Sequence, residues 1–139
     1  MEVTAKYQGK MRFEVAARGH RIISDQPVSE NGEGGGEDAG MTPPELLLAS
    51  LASCAAYYAA QYLNIRKLPS DDLKARVTAE KAANPARLTS FQIEVTVGGL
   101  NERDQGGVLR SVKKCLIHNT LLSAPSIDVT VRAGALTAV

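Results

Sequence analysis

The chain has no tryptophan and only two phenylalanines among its 139 residues. The aromatic platforms on which single-stranded nucleic acid stacks are therefore missing. An excess of either charge is missing too. Sixteen Lys and Arg stand against fifteen Asp and Glu, leaving +1. That balance argues for no nucleic-acid partner through bulk electrostatics. The amino terminus, MEVTAKYQGK, lacks the basic-then-apolar order of a secretory signal. A membrane span is short of material as well. The longest uncharged run, Leu46 to Ile65, is interrupted by Ser50, Ser53, Gln61 and Asn64, and falls below the roughly 20 predominantly apolar residues that a span needs. These absences point to a cytoplasmic protein with no membrane partner. The length suits a single domain, 1–139, large enough to bury a core without staples.

Cysteine is scarce: two residues, Cys54 and Cys115, with only two histidines beside them. In a reducing compartment two cysteines are free, redox-active or metal-binding more often than they are a structural staple. Zinc asks for four ligands, and Cys54, Cys115, His20 and His118 would make the number. There is no C-x₂-C spacing, so the expectation is no metal. A phosphate-cradling loop is also absent. Residues 29–40, SENGEGGGEDAG, contain no GK[ST], and Glu30, Glu33, Glu37 and Asp38 would repel phosphate. The stretch reads as a long glycine-rich loop, a length that is often functional.

What is present is ordered. EVTAKYQGKMRFEVAARGHRIIS, punctuated by Gly9 and Gly19, reads as three short strands in a meander. TPPELLLASLASCAAYYAAQYL, Thr42 to Leu63, reads as a helix. Thr42 is its N-cap, Pro43 its first position, and Glu45 closes a T-x-x-E capping box. The helix is apolar on every face and so must be covered on all sides. Two long strands follow, DDLKARVTAEKA and RLTSFQIEVTVGG, with a turn at Asn84-Pro85. Phe91, Ile93, Val95 and Val97 keep period two. From about Arg103 the period changes. Val108, Val112, Cys115, Leu116, Asn119 and Leu122 mark one face of a second helix, which Pro125 stops. SIDVTVRAG is expected to close the chain as a strand. The order is βββ-α-ββ-α-β, an α+β arrangement with no βαβ fingerprint.

Each cysteine thus falls on a core-forming helix. Taken singly, each reads as a small buried hydrophobe. As a pair they could meet where the helices pack, because Ala52, Ser53, Ala55 and Ala56 around Cys54 are small. His118, three residues after Cys115, shares its helix face. A protonated imidazole there would lower a thiol pKa, whereas the commoner role is packing or backbone hydrogen bonding.

TPPELLLASLASC and, later, CLIHNTLL closely resemble the two cysteine motifs of the OsmC/Ohr family (osmotically inducible protein C and organic hydroperoxide resistance proteins). RGHRIISDQP, the loop with GGED, and SAPSIDVTV fit the same pattern, so the resemblance covers nearly the whole chain. It implies an intertwined homodimer, with two central helices wrapped by sheets from both chains and active sites at the subunit interface. It implies thiol-dependent reduction of organic hydroperoxides, with Cys54 as peroxidatic and Cys115 as resolving thiol. A dithiol reductant then restores the pair, and no cofactor is needed. In the hydroperoxide-resistance branch an arginine from the N-terminal strands and a glutamate before the helix support the thiolate. Here Arg12 and, less directly placed, Glu45 are the candidates. Lys10 stands near the arginine's place and Pro44 at the glutamate's, which sets the chain in the OsmC-like branch. Two other roles remain open: a non-catalytic dimer holding a small apolar ligand, and a thiol redox sensor.

Overall fold

The computed structural model describes residues 1–32 and 35–134. Glu33, counted above among the loop acids, lies outside them. Strands β1 (Thr4–Tyr7), β2 (Phe13–Ala17) and β3 (His20–Ser24) form an antiparallel meander in the order β1-β2-β3. Helix α1 (Pro43–Ile65) follows, then β4 (Lys74–Ala82), β5 (Arg87–Thr96), α2 (Glu102–Val112) and α3 (Leu116–Leu122). Strands β4 and β5 make a separate antiparallel pair, with Ala75 opposite Val95 and Val77 opposite Ile93. The mixed α+β class is as expected.

Helix α1 starts as its sequence dictates. Thr42 is the N-cap in extended conformation, and both halves of the capping box form. Its buried residues are Leu51, Ala55, Ala59 and Leu63. They recur every four positions and so make one stripe. The alanines let Val108 and Val112 of α2 approach, while Leu73, Ala75, Ile93, Val95 and Val97 close the core from the β4–β5 side. Against the sequence expectation that this stretch falls short of a span, α1 is, among the described residues, the one helix long and apolar enough by length and composition to cross a membrane. Its packing on α2, β4 and β5 makes it the core helix of the fold. Among the described residues its fully buried positions are confined to that one stripe.

Two further expectations are corrected. The second helix is not continuous. It ends at Val112, the chain tightens through Lys114 N–H to Ser111 O and Cys115 N–H to Val112 O, both 3.0 Å, and α3 then begins. Cys115 is not helical (φ −53°, ψ 125°), and its sulfur caps α3 by accepting from His118 N–H at 3.4 Å. A cysteine that can serve as cap acceptor fits between two helices as well as inside one, so apolar spacing alone cannot locate the break. The closing strand is the other correction. Residues 126–134 are exposed and pair with no strand of their own chain. Period two supplies the side-chain pattern of a strand, but the ladder needs a neighbour.

The glycine-rich excursion is pinned at both ends. Ser24 bridges Met41, and Ser24 Oγ donates to Met41 O at 3.0 Å. Asp25 is buried and accepts from the backbone N–H of Gln26 (2.8 Å), Glu37 and Ala39 (both 3.1 Å). A Cβ on Gly36 would run into the Asp25 carboxylate and the Gln26 carbonyl, so the loop can lie this close only with glycine there.

Candidate active site

The small residues around Cys54 and the restart of the chain at Cys115 have one consequence. They bring the two thiols together where α3 packs on α1. Cys115 is completely buried, Cys54 partly so, and both are free thiols. Burial, and next the Cys54 side chain lying against it, push the Cys115 thiol above its ordinary range; the N–H groups of His118 and Ile117 pull the other way without overcoming them. Cys115 therefore holds its proton at neutral pH. Of the pair it is the one held as S–H.

His118 points elsewhere. Its backbone N–H serves Cys115, while its ring Nδ1 is buried with no hydrogen-bond partner. The ring lines a groove of about 1030 Å³ between β5 and α2–α3, whose walls are mainly apolar, including Phe91, Val95, Leu109 and Leu121. Neither cysteine lines that groove. It is a neighbour of the thiols through His118 and Val112, and the thiols themselves mark the chemistry.

The charged candidates are in two other places. Glu45 is fully occupied in the capping box. Its Oε2 accepts from Thr42 N–H at 2.8 Å and from Thr42 Oγ1 at 3.0 Å. Those two bonds, backbone first, hold its carboxyl below the usual range. Arg12 lies in the turn before β2 and faces Glu37, not Glu45, at 3.8 Å. Lys10 meets the same carboxylate at 2.6 Å. The hydrogen bond from Lys10 and its charge, with Arg12 further off, hold Glu37 ionised. Desolvation works against the buried Asp25 carboxylate, but the N–H groups of Ala39, Gln26 and Glu37, with the Arg12 charge, outweigh it and lower its pKa. Glu37 and Asp25 are the acids that sequence spacing missed. The signal was the buried end of a glycine-rich loop, which brings residues 25 and 37 together across twelve positions. His20 sits on β3, in the sheet that carries Arg12. Among the described residues no three His, Cys, Asp or Glu side chains gather as a metal set.

A helix carrying one thiol, a second thiol capping the helix beside it, and a meander preceding both define a two-cysteine α+β protein. The sequence profile of the OsmC-like protein family matches residues 34–130, more than half of the chain. The chain belongs to that family. Solved structures share its fold. An osmotic stress induced and detoxification response protein of Psychrobacter arcticus is 25% identical, with 85% of each chain covered and a TM-score of 0.75. An OsmC like protein of Mycoplasma pneumoniae is 20% identical over 88% of this chain and 87% of its own, with a TM-score of 0.72. The organic hydroperoxide resistance protein OhrB of Bacillus subtilis shares 15% identity over 88% and 90%, with a TM-score of 0.55. No curated protein matches the sequence at a significant level.

Proposed function

We propose that the protein is a cytoplasmic thiol peroxidase that reduces organic hydroperoxides. The observation that carries this reading is the pairing of a partly exposed Cys54 with a buried, protonated Cys115. The Cys54 thiolate attacks the terminal peroxide oxygen. The O–O bond breaks, the alkoxide leaves and takes a proton as the alcohol, and Cys54 becomes a sulfenic acid. The Cys115 sulfur then attacks the Cys54 sulfur. Its proton and the sulfenic hydroxyl leave as water, and a disulfide remains. A dithiol reduces it by exchange and is itself oxidised to a disulfide. The leucine and alanine surroundings of Cys54 favour an alkyl hydroperoxide over hydrogen peroxide.

The support for the thiolate comes, in this reading, from Arg12 held by Glu37. The meander that carries Arg12 has no substantial packing on the helices of its own chain. A homodimer in which that meander lies over the partner's helices supplies both the missing cover and the missing cation.

One equivalent of cumene hydroperoxide should consume both thiols and give a Cys54–Cys115 disulfide that a dithiol reverses, as peptide mapping by mass spectrometry would show. Cys54→Ser should abolish turnover, and Cys115→Ser should over-oxidise at Cys54. A reduced Cys54 under excess peroxide would sink the proposal. The apolar groove favours a second reading, a non-catalytic dimer that holds a small apolar ligand. Native mass spectrometry of purified protein showing a retained ligand, with no peroxide consumption, would select it. Oxidation of Cys54 with negligible turnover would select a redox sensor.

A further inference from the structure

Along the seam between α1 and α2 lies a second, smaller cleft of about 240 Å³. Its lining is unlike the apolar groove. Arg66, Arg110 and Lys114 supply three cations, Gln61, Tyr62 and Ser111 supply polar groups, and no carboxylate lines it. Of the three cations only Arg66 is engaged, and the Ser111 hydroxyl is committed to Tyr58 O at 2.8 Å. Arg66 meets the buried Asp104 at 3.5 Å, and Tyr62 Oη donates to the same carboxylate at 2.9 Å. Among the described residues Arg110 and Lys114 form no ion pair within 4.0 Å. They stand four apart around the end of α2, where like charges repel and lower helix stability.

We propose that this cleft is an oxyanion site that takes a phosphate or carboxylate group. The net charge at the cleft, after Asp104 is set against Arg66, is that of two unpaired cations. Arg110 offers the planar fork that binds such groups through two parallel bonds, and Lys114 adds a point charge. The volume holds one small oxyanion and a few waters, at about 30 Å³ per water, and is below the 300 Å³ or so where pockets for whole drug-sized ligands begin. A charged group is therefore bound, with the rest of any larger ligand outside. The place is suggestive as well. Gln61 follows Cys54 by seven residues, two turns or about 10 Å along the same helix face, and Lys114 adjoins Cys115. An anion held here lies on the same seam as the thiols. The proposal does not depend on what the thiols do.

The test compares the whole protein with Arg110→Gln/Lys114→Gln in sodium phosphate, sodium acetate and sodium chloride at equal ionic strength. Phosphate or acetate should raise the wild-type melting temperature above its chloride value, and the variant should lose that increment. Which of the two salts acts identifies the group. The phosphate or acetate Kd should rise about tenfold for each cation removed, as charge-assisted hydrogen bonds require. In chloride the variant should melt at or above the wild-type temperature, because a repulsion has been relieved. General salting-out stabilisation would raise both proteins equally, and that result overturns the proposal, as does the absence of any increment. Amide signals of Ser111 and Lys114 in the wild type give an independent reading. Saturable shifts with the effective anion support the site, and a linear drift refutes it.

Discussion

At the scale of single residues, the two sulfurs differ in burial: Cys115 is fully buried and Cys54 partly so. Burial is the larger cause of the raised Cys115 pKa, so the loss of its neighbour should not free it. Iodoacetamide at neutral pH should label Cys54 and spare Cys115, and Cys54→Ser should still leave Cys115 unlabelled. Rapid labelling of Cys115 in that variant would show that Cys54, not burial, sets its reactivity. Asp25 is the other residue whose charge is structural. Its folded pKa lies below the ordinary 3.8 despite burial. A carboxylate lowered in this way stabilises the folded state fully above its unfolded pKa. The contribution is lost as pH falls through the folded value. Glu37, also lowered, acts in the same window. Melting temperature should therefore fall as pH drops below about 4. Asp25→Asn should melt several degrees lower at neutral pH, with a shallower acid slope. An unchanged acid slope would remove Asp25 from that role. None of this was legible in the sequence beyond an acidic loop, because the partners of Asp25 are backbone N–H groups twelve and fourteen residues away.

At the scale of elements, adjacent glycines in α2 test the packing against α1. Gly107 is buried and a Cβ there would strike the Tyr62 ring, whereas a Cβ on Gly106 meets only the movable end of Arg110 at 3.4 Å. Alanine is the better helix former by up to about 1 kcal/mol. Gly106→Ala should therefore stabilise by about 0.5–1 kcal/mol. Gly107→Ala should destabilise by about 1–3 kcal/mol through overpacking. Denaturant unfolding separates the two, and equal effects would deny the close approach of α2 to Tyr62. The elements themselves were readable where chemistry is local. The capping box placed the start of α1, Gly9 and Gly19 the turns of the meander, and Phe91, Ile93 and Val95 the inward face of β5. The pair of thiols was readable as two cysteines on apolar positions. The break at Cys115 was not, since its sulfur does the work of a cap that serine or asparagine usually signals. The acid opposite Arg12 was not either. Glu45 is the acid nearest the helix start in sequence, whereas Glu37 arrives from a loop folded back by Asp25.

At the scale of the whole molecule, the chain leaves unusual apolar area uncovered. Ile127, Val129 and Val131 of the tail are 81%, 84% and 92% exposed, and Tyr57 on α1 is 60% exposed. Tyr7, Phe13, Ile22 and Ile23 of the meander are open as well. Scattered apolar residues on a surface need no explanation, but contiguous faces mark interaction sites. Among the described residues three elements share the condition: a meander without substantial packing on the helices, a core helix fully buried along one stripe, and a tail, 126–134, without a ladder. A second copy can satisfy all three at once through a two-fold interface. Sedimentation should give twice the 14.8 kDa chain mass at micromolar concentration, and a folded monomer would remove the interfacial site with the dimer. The tail allows a sharper test. Ile127, Val129 and Val131 alternate with Asp128, Thr130 and Arg132, so a paired strand would turn all three apolar side chains to one face. Val129→Asp places a charge in the centre of that face. It makes no contact that the single chain needs, because the residue is almost fully exposed. If the tail pairs with a partner, the variant should dissociate or aggregate while its far-ultraviolet circular dichroism per residue changes little. If the dimer persists unchanged, the tail lies outside the interface and the meander and α1 must supply it alone.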